Sequence, residues 1–381
     1  MASPLHAAFV PNPSFDVQGT HLAHTLGLNT TAGDIGIEIE CEGNKFPKHS
    51  SQIPSAWRYV HDGSLRGEDN AEYVLAKPLS FEHAENAVKD IYKCLADYGT
   101  VLDESNRTSV HVHLNVQRFY LNRLASFFGL YFMVEEILTE WCGDHRIGNL
   151  FCLRAKDAPA IVTKVKRFIQ NDGRSELTEG LHYSGLNAHA MMKFGSLEIR
   201  SLRGVTDPTL VLDWVKVLER IYVLSGEYED PRLVTENFSG NDPLDFLRNV
   251  LGESYDTVRN GIEFSDEQVR ASMYEGIRLA QDICYCRDWS RYKPIDVSKN
   301  PFGRNKSASL EAAMSDIQSQ FEIGGVTYAS APVPTATAFY NSLLSAGNNA
   351  GVIPTTSTYI HNPVTELEDY YEPEPSYNED F

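Results

Sequence analysis

The 381-residue sequence predicts an α+β fold, on three observations. Short segments in about the first two hundred residues alternate polar and apolar side chains, as β-strands do because successive side chains lie on opposite faces. Segments with helical spacing and capping residues dominate about the next hundred. Strands followed by helices in this way are typical of α+β proteins. The four clearest alternating segments are 36–40, 71–74, 110–115 and 195–200.

Strands are expected in the first part of the chain over residues 34–42, 72–75, 101–102 and 109–116. Ser80 is a cap for a helix with apolar residues along one side, and Gly99 ends that helix. A helix at about 121–141 is apolar around most of its girth and is therefore expected to be buried. Residues 1–33 are rich in Pro, Gly, Asn and Thr and predict a loop-like N-terminal extension.

The second part of the predicted fold begins with a lysine-bearing helix at 159–170 and a strand pair at 186–192 and 196–202. Asp207 and Asp242 each precede a proline, which is typical of a helix start. A capping box, Ser265 to Gln268, opens a helix that runs to about residue 285. The catalytic domain is expected over 34–323, and a low-complexity acidic tail over 324–381. That tail is expected to be disordered. It either helps to dock partners or keep the protein soluble, or is a solvated tail without function.

Composition limits the classes of partner. Lys+Arg 33 against Asp+Glu 52 gives a formal charge of −19, which argues against a nucleic-acid backbone as the main partner. The six cysteines lack the spacing of a zinc or redox site and are expected to be reduced. The sequence begins without a signal-peptide pattern and has no apolar run long enough to cross a bilayer. It therefore predicts a cytoplasmic protein with no membrane contact.

The alternating segments place potential metal ligands on one face of the predicted sheet. They are Glu38, Glu40, Glu72, His111 and Glu198. Mg²⁺ prefers oxygen ligands shared with substrate phosphates, and one neutral histidine suits either Mg²⁺ or Mn²⁺. Each glutamate taken singly is equally typical of an exposed strand face, so the recurrence of the pattern supports the prediction. A zinc hydrolase is the competing interpretation, but the chain lacks a His-Glu-x-x-His motif.

Two arginines accompany these acids. Arg200 lies two residues after Glu198, and Arg203 follows shortly. A planar guanidinium can hold a phosphoryl group through two hydrogen bonds while a neighbouring carboxylate holds a cation. The alternative is an Arg–Glu pair within the sheet. The sequence contains no glycine-rich phosphate loop, so phosphates would be held by metals and arginines.

Five short motifs, read in order along the chain, resemble the amidoligase family of carboxylate–amine ligases, relatives of glutamine synthetase and glutamate–cysteine ligase. The motifs are Gly-x-Glu-x-Glu (36–40), Asp-Gly-Ser-Leu (62–65), Glu-x-Val followed by Pro-Leu with one extra residue between them (72–79), His-Val-His-x-Asn (111–115) and Leu-Glu-Ile-Arg (197–200). The likeness covers about residues 34–225. It implies a curved antiparallel sheet that forms a funnel, as in the glutamine synthetase catalytic domain. ATP would enter one end and the substrates the other.

The resemblance also implies roles for single residues. One metal, which bridges the ATP phosphates, would be held by Glu38, His111 and Glu198. A second, nearer the acceptor carboxylate, would be held by Glu40 and Glu72. Arg200 would stabilise the phosphoryl group during transfer. The further residues expected to bind nucleotide or substrate, or to lie in a matching motif, are Ser64, His113, Asn115, Asn187 and Arg203.

The implied reaction needs ATP and Mg²⁺ (or Mn²⁺) and joins a carboxylate to an amine through an acyl phosphate. Glu72 or Asp62 would accept the proton of the amine. The substrates are expected to be small molecules, peptides or proteins, and the oligomeric state stays open. Loops 43–57 and 143–157 are expected to line the substrate pocket, where Arg146 and Arg154 either hold a carboxylate or lie on the surface. The alternatives are a phosphotransferase like the guanidino kinases, and a catalytically silent binding protein.

Overall fold

The computed structural model describes residues 17–65, 69–178, 181 and 183–294. Within these ranges the fold is a mixture of helices and antiparallel sheet, which confirms the predicted α+β class. The acidic tail at 324–381 lies outside the described residues. None of the described helices is both long enough and apolar enough to cross a membrane.

The main sheet is open and antiparallel, with strand order β3-β4-β2-β6-β8-β7, and β5 pairs with the end of β2. A second, two-stranded sheet pairs β1 with β9 in parallel. The strands are β1 (Val17–Gly19), β2 (Ile35–Asn44), β3 (Trp57–Val60), β4 (Asn70–Leu75), β5 (Val101–Leu102), β6 (Ser109–Asn115), β7 (Leu186–Asn187), β8 (Ser196–Arg203) and β9 (Tyr292–Pro294).

Helices are interleaved with the strands along the chain. They are α1 (Leu22–Leu26), α2 (Phe81–Tyr98), α3 (Leu121–Cys142), α4 (Pro159–Gln170), α5 (Ala190–Phe194), α6 (Pro208–Leu224), α7 (Arg232–Ser239), α8 (Pro243–Leu251), α9 (Tyr255–Asn260) and α10 (Asp266–Cys284). The predicted caps are confirmed, since Ser80, Asp207 and Asp242 each accept a backbone N–H bond at a helix start. Ser265 and Gln268 form the expected capping box.

The register of the sheet decides which side chains meet. Glu40 lies opposite Glu72, Glu38 opposite His111, and His113 opposite Glu198. Because paired residues of antiparallel strands point to the same face, these polar side chains share one side of the sheet. The alternate residues of β2, Ile35, Ile37 and Ile39, are buried in the core on the other side.

A β-bulge changes the parity of β8. Val112 pairs with Ile199 and Val110 with Leu202, so two residues of β8 face one residue of β6 at this point. Arg203 then pairs with Ser109. The bulge therefore returns Arg203 to the polar face, although Arg203 lies five positions after Glu198, an odd step that would otherwise put it on the opposite face.

Helix α3 is buried around most of its girth, as predicted, because it packs against both β8 and α10. The contact with α10 is close at Gly276. A Cβ atom there would lie 2.7 Å from the Cα of Met133 and 2.7 Å from the carbonyl oxygen of Phe132. A glycine is thus required where the two helix backbones meet.

Two sequence-based expectations are wrong. The described part of the N-terminal extension is not loop-like, because it contains β1 and α1, and Leu22 is fully buried in the core. The N–H of Leu22 also donates to the carbonyl of Phe119. The strand expected at 186–192 is only β7, since the chain turns at His189 into α5.

Candidate metal and phosphate site

Three predicted ligands converge on the polar face. One ligand atom each from Glu38, His111 and Glu198 lies within 4.8 Å of the others. Nδ1 of His111 is 3.2 Å from Oε2 of Glu38 and 3.5 Å from Oε1 of Glu198. The three side chains come from β2, β6 and β8, neighbouring strands of the sheet. The sequence placed them on one face, and the structure places them around one point.

Glu40 and Ser109 lie beside this cluster. The backbone N–H of Ser109 donates to Oε2 of Glu40 at 2.8 Å, and its hydroxyl lies 2.7 Å from the same oxygen. The Ser109 hydroxyl is also 2.8 Å from Nε2 of His111. One oxygen of Glu40 is therefore committed to Ser109. In the described part of the chain, no compact group of metal-ligand atoms includes Glu40 or Glu72.

Glu198 is held from both sides. The Asn187 side-chain amide donates to Oε2 at 2.6 Å, and the Arg200 guanidinium donates to Oε1 at 2.5 Å. Asn187 is only 3% exposed, so it acts on the site through Glu198. Arg200 also donates from Nε to the Phe151 carbonyl at 3.3 Å. The pair of Arg200 and Glu198, which was the alternative interpretation of this arginine, is thus present. It lies at the cluster of Glu38, His111 and Glu198.

The second histidine of β6 faces the other oxygen of Glu38. Nε2 of His113 is 3.2 Å from Oε1 of Glu38, while Nδ1 is 3.1 Å from the hydroxyl of Ser196. The ring of His113 meets that of Phe194 edge to face, with centroids 6.0 Å apart. His113 therefore connects the acidic cluster to the end of the sheet where Phe194 lies.

Neighbouring charges shift the pKa values of Glu38, Glu198 and His113. Burial by itself would raise the pKa of Glu38, but His111 and His113 lower it far below its usual range. Burial opposes ionisation of Glu198 too, and the Arg200 charge lowers its pKa. Burial would lower the pKa of His113, yet the Glu38 and Glu198 carboxylates raise it. These acids are therefore ionised and favour cations.

Glu72 has a different environment. Burial, followed by the charges of Glu38 and Asp62, raises its pKa to about 7. Asp62 accepts hydrogen bonds from the backbone N–H and the hydroxyl of Ser64, at 2.7 and 2.8 Å. Arg107 donates to the Ser64 carbonyl at 2.7 Å and so ties this turn to the segment before β6. Asp62 and Glu72 thus lie near one another at the edge of the acidic cluster.

The donor set fits a hard divalent cation. Carboxylate oxygens and one imidazole nitrogen are ligands of Mg²⁺ or Mn²⁺. Nε2 of His113 is buried and pairs with Oε1 of Glu38 at 3.2 Å, so this ring supports the acid and is not one of the three clustered ligands. Glu38, His111 and Glu198 are the residues that would hold the cation.

A cleft of about 230 Å³ opens at the Gly36 end of the polar face, which we call the Phe194 cleft. Its lining includes Glu38, Arg58, Lys77, His113, Asn115, Phe194 and Ser196. Lys193 lies over the ring of Phe194 at 4.9 Å. The amide of Asn115 donates to the Gly33 carbonyl at 2.8 Å and so fixes the wall of the cleft. An exposed aromatic ring beside basic side chains suits a flat, anionic ligand.

A larger cleft, of about 770 Å³, lies near the other end of the sheet and contains Arg203. We call it the Arg203 cleft. Its carboxylates are Glu104, Glu140, Asp144, Asp207, Asp213 and Glu263. Burial raises the pKa of Glu140, and Glu263 and Asp144 add to this effect. One guanidinium N–H of Arg203 donates to the Cys142 carbonyl at 2.8 Å, so this arginine also caps α3.

The interpretation of Arg146 and Arg154 as surface arginines is wrong. Both are buried, at 2% and 8% exposure, so neither is a surface arginine. Arg146 donates to the backbone carbonyls of Arg200 and Ser201, and Arg154 pairs with Asp157. Arg146 thus holds the 143–157 loop against β8, whereas Arg154 pairs within that loop. The loop presents the Phe151 carbonyl to Arg200.

Sequence analysis missed several residues of the site. Ser109 and Ser196 lie two residues before His111 and Glu198, so the same period-two rule would have found them. Phe151 and Phe194 carry no comparable signal, because each lies outside a strand and their positions depend on how loops fold back. They are 61% and 53% exposed and border the polar face.

The sequence was also compared with known proteins. No protein-family model matches it, and no curated protein matches it significantly. Any assignment of function therefore depends on the site residues and on the resemblance of the five motifs.

Proposed function

We propose that this chain is an ATP- and Mg²⁺-dependent carboxylate–amine ligase of the amidoligase type, with a glutamine synthetase-like sheet. The observation that supports this most is the convergence of Glu38, His111 and Glu198 beside Arg200 on one sheet face. These are the residues to which the resemblance assigns a metal and a phosphoryl group. A set of ionised acids with one guanidinium suits a reaction that moves a phosphoryl group.

ATP would lie in the Phe194 cleft with its phosphates toward Glu38. The aromatic ring and the basic side chains of Arg58 and Lys77 favour a nucleotide there. Mg²⁺, when bound, neutralises charge on the phosphates. The substrate carboxylate would approach from the opposite side, along the part of the sheet that carries Glu40 and Glu72.

In the first step, a carboxylate oxygen of the substrate attacks the γ-phosphorus of ATP. The bond from that phosphorus to the ADP oxygen breaks, and an acyl phosphate forms. Arg200 donates hydrogen bonds to the transferred group and balances its spreading charge. The 143–157 loop supports Arg200 in this role, because the Phe151 carbonyl accepts from its Nε.

In the second step, the amine attacks the acyl carbon, an amide forms and inorganic phosphate leaves. The amine must lose a proton in this step. Among Glu38, Glu40, Glu72 and Glu198, Glu72 alone takes part in no hydrogen bond with the described residues. Asp62 lies close by, but Ser64 already donates to both of its oxygens. Glu72 is therefore our preferred base.

The test uses the full chain, ATP, Mg²⁺ and a panel of carboxylate and amine pairs, with product masses measured. We expect ADP, phosphate and an amide, and loss of at least about a hundredfold in rate for Glu38→Gln. Glu42→Gln is the matched control, because Glu42 is on the same strand but outside the cluster, and it should keep its activity. A stable phosphorylated product would favour a guanidino-kinase-like phosphotransferase instead.

Ligand binding can be tested without knowing the substrate. A ligand that binds only the folded state raises its melting temperature. ATP with Mg²⁺ should therefore stabilise the wild-type protein and the Glu42→Gln variant, but not Glu38→Gln. If neither ATP nor Mg²⁺ changes the melting temperature of the folded wild-type protein, the proposal fails.

A further inference from the structure

Ser109 occupies a position between two residues of the site. Its hydroxyl oxygen is 2.7 Å from Oε2 of Glu40 and 2.8 Å from Nε2 of His111. Its own N–H donates to the same oxygen of Glu40. Ser109 is 5% exposed and His111 4%, so water does not compete for these bonds. The three side chains form a continuous chain of hydrogen bonds.

The direction of this chain follows from metal ligation. A histidine that holds a cation through Nδ1 carries its ring proton on Nε2, and that N–H donates to the Ser109 oxygen. The Ser109 hydroxyl then donates its one proton to Oε2 of Glu40. With its proton on Nε2, the ring has its lone pair on Nδ1.

That lone pair points into the acidic cluster. Nδ1 faces Oε2 of Glu38 at 3.2 Å and Oε1 of Glu198 at 3.5 Å. With this tautomer, three acceptor atoms face one another without a proton between them. Such an arrangement is unfavourable unless a cation lies among the three atoms, and these are the atoms that form the ligand cluster.

We infer that Ser109 is a positioning residue for the metal site, and that it fixes His111 in the tautomer that binds a divalent cation through Nδ1. Glu40 contributes through Ser109, because it takes the hydroxyl proton. This inference rests on the metal-binding part of the proposed function and is independent of which bond the enzyme makes. Polar groups that orient metal-ligating histidines in this way are common in metalloproteins.

The second histidine shows why the position of the serine matters. Ser196 contacts Nδ1 of His113, whereas Ser109 contacts Nε2 of His111. The two rings therefore present opposite nitrogens to the acids, Nε2 from His113 and Nδ1 from His111. One serine for each ring determines which nitrogen faces Glu38.

The first experiment measures Mn²⁺ binding to the full chain by calorimetry, with no nucleotide present. Ser109→Ala should weaken Mn²⁺ affinity by about 10- to 100-fold, and Ser109→Thr, which keeps the hydroxyl, should restore most of it. Ser201→Ala is the control, since Ser201 is a buried serine of β8 outside the cluster. Equal affinities for the wild type and Ser109→Ala, with both proteins folded, would overturn the inference.

The second experiment reads the tautomer directly by NMR of ¹⁵N-labelled histidine, with His111→Asn used to identify the signals. We expect the ring to carry its proton on Nε2 in the Mg²⁺-saturated wild type, and this preference to be lost in Ser109→Ala. A ring that carries its proton on Nδ1 in the Mg²⁺-saturated wild type, or an unchanged tautomer in Ser109→Ala, would overturn the inference. If Mn²⁺ binds as expected but no ligase reaction is found, the proposed reaction fails and the role of Ser109 stands.

Discussion

Arg200 and His111 share one oxygen of Glu198. The guanidinium of Arg200 donates to Oε1 at 2.5 Å, and Nδ1 of His111 faces the same atom at 3.5 Å. Arg200 thus supplies positive charge at the point where the proposed cation would also bind. The two cations are expected to repel one another while they serve the same phosphoryl group.

Substitution of Arg200 should therefore have opposite effects on binding and catalysis. We expect Arg200→Ala to raise Mn²⁺ affinity on the order of tenfold, because a neighbouring positive charge is removed. Turnover with ATP should fall on the order of a hundredfold or more, because the charge on the transferred group loses its partner. Calorimetry and phosphate release measure the two quantities separately.

Arg203→Ala provides the comparison for Arg200→Ala. Arg203 lies on the same face, but it caps α3 through the Trp141 and Cys142 carbonyls. Within the described residues, no hydrogen bond or ion pair joins it to Glu38, His111 or Glu198. Its loss should leave Mn²⁺ affinity unchanged. An Arg200→Ala enzyme with normal turnover would show that Arg200 serves only to hold Glu198.

Much of the site could be predicted from the alternation of polar and apolar residues. That pattern placed Glu38, His111 and Glu198 on one face, because side chains two residues apart in a strand point the same way. The order of the strands cannot be read from the pattern, and it is the order that makes these residues neighbours. The bulge opposite His111 could not be predicted either. One extra residue in β8 leaves the strand propensity of the segment unchanged.

Loops and helix contacts explain the other errors. Arg146 looked like a surface arginine because loop sequences carry no record of which backbone carbonyls will lie nearby. Leu22 looked like part of a loop because a five-residue helix has too few turns to give a period. The helices with caps, such as α2 and α10, were predicted well because the capping residues act locally.

A buried carboxyl group should make the stability of this protein depend on pH. Burial raises the pKa of Glu135 from 4.5 to about 8, and the Ala155 N–H donates to its Oε2 at 2.8 Å. Among the surrounding charges, Arg154 and Lys156 lower this pKa and Asp157 raises it. The folded state thus keeps a proton that the unfolded chain releases, so stability is lost as pH rises from about 4.5 to 8.

Glu135→Gln should remove this dependence, because an amide resembles the neutral carboxyl group. We expect little change in unfolding free energy at about pH 5 and a gain of about 2–5 kcal/mol at about pH 8.5. Urea titrations of the wild type and Glu135→Gln at the two pH values measure the unfolding free energies. Glu136→Gln, one residue along α3, should show no such gain, since Glu136 pairs with Lys156. Parallel pH curves for the wild type and Glu135→Gln would contradict the prediction.

The close contact between α3 and α10 predicts a large effect for a very small substitution. Gly276→Ala would place a Cβ atom 2.7 Å from Met133 Cα and from the Phe132 carbonyl oxygen, so the helix backbones must move apart. We expect a loss of about 1–3 kcal/mol in unfolding free energy. At Gly240 the nearest atom to a new Cβ is 3.7 Å away, so Gly240→Ala should change stability by less than about 0.5 kcal/mol.

The last prediction concerns the nucleotide. If the adenine ring of ATP stacks on Phe194, then Phe194→Ala should raise the Kd for ATP with Mg²⁺ on the order of tenfold, because stacking on an aromatic ring contributes about 1–3 kcal/mol. Phe194→Tyr keeps the ring and should bind nearly as well as the wild type. Affinity for Mn²⁺ alone should not change in either variant, since Phe194 is not among the ligands.

Tyr274→Ala is the control for loss of an exposed ring, because Tyr274 lies on α10 and packs against Phe238. It should bind ATP as the wild type does. An unchanged Kd in Phe194→Ala, together with intact Mn²⁺ binding, would move the nucleotide out of the Phe194 cleft.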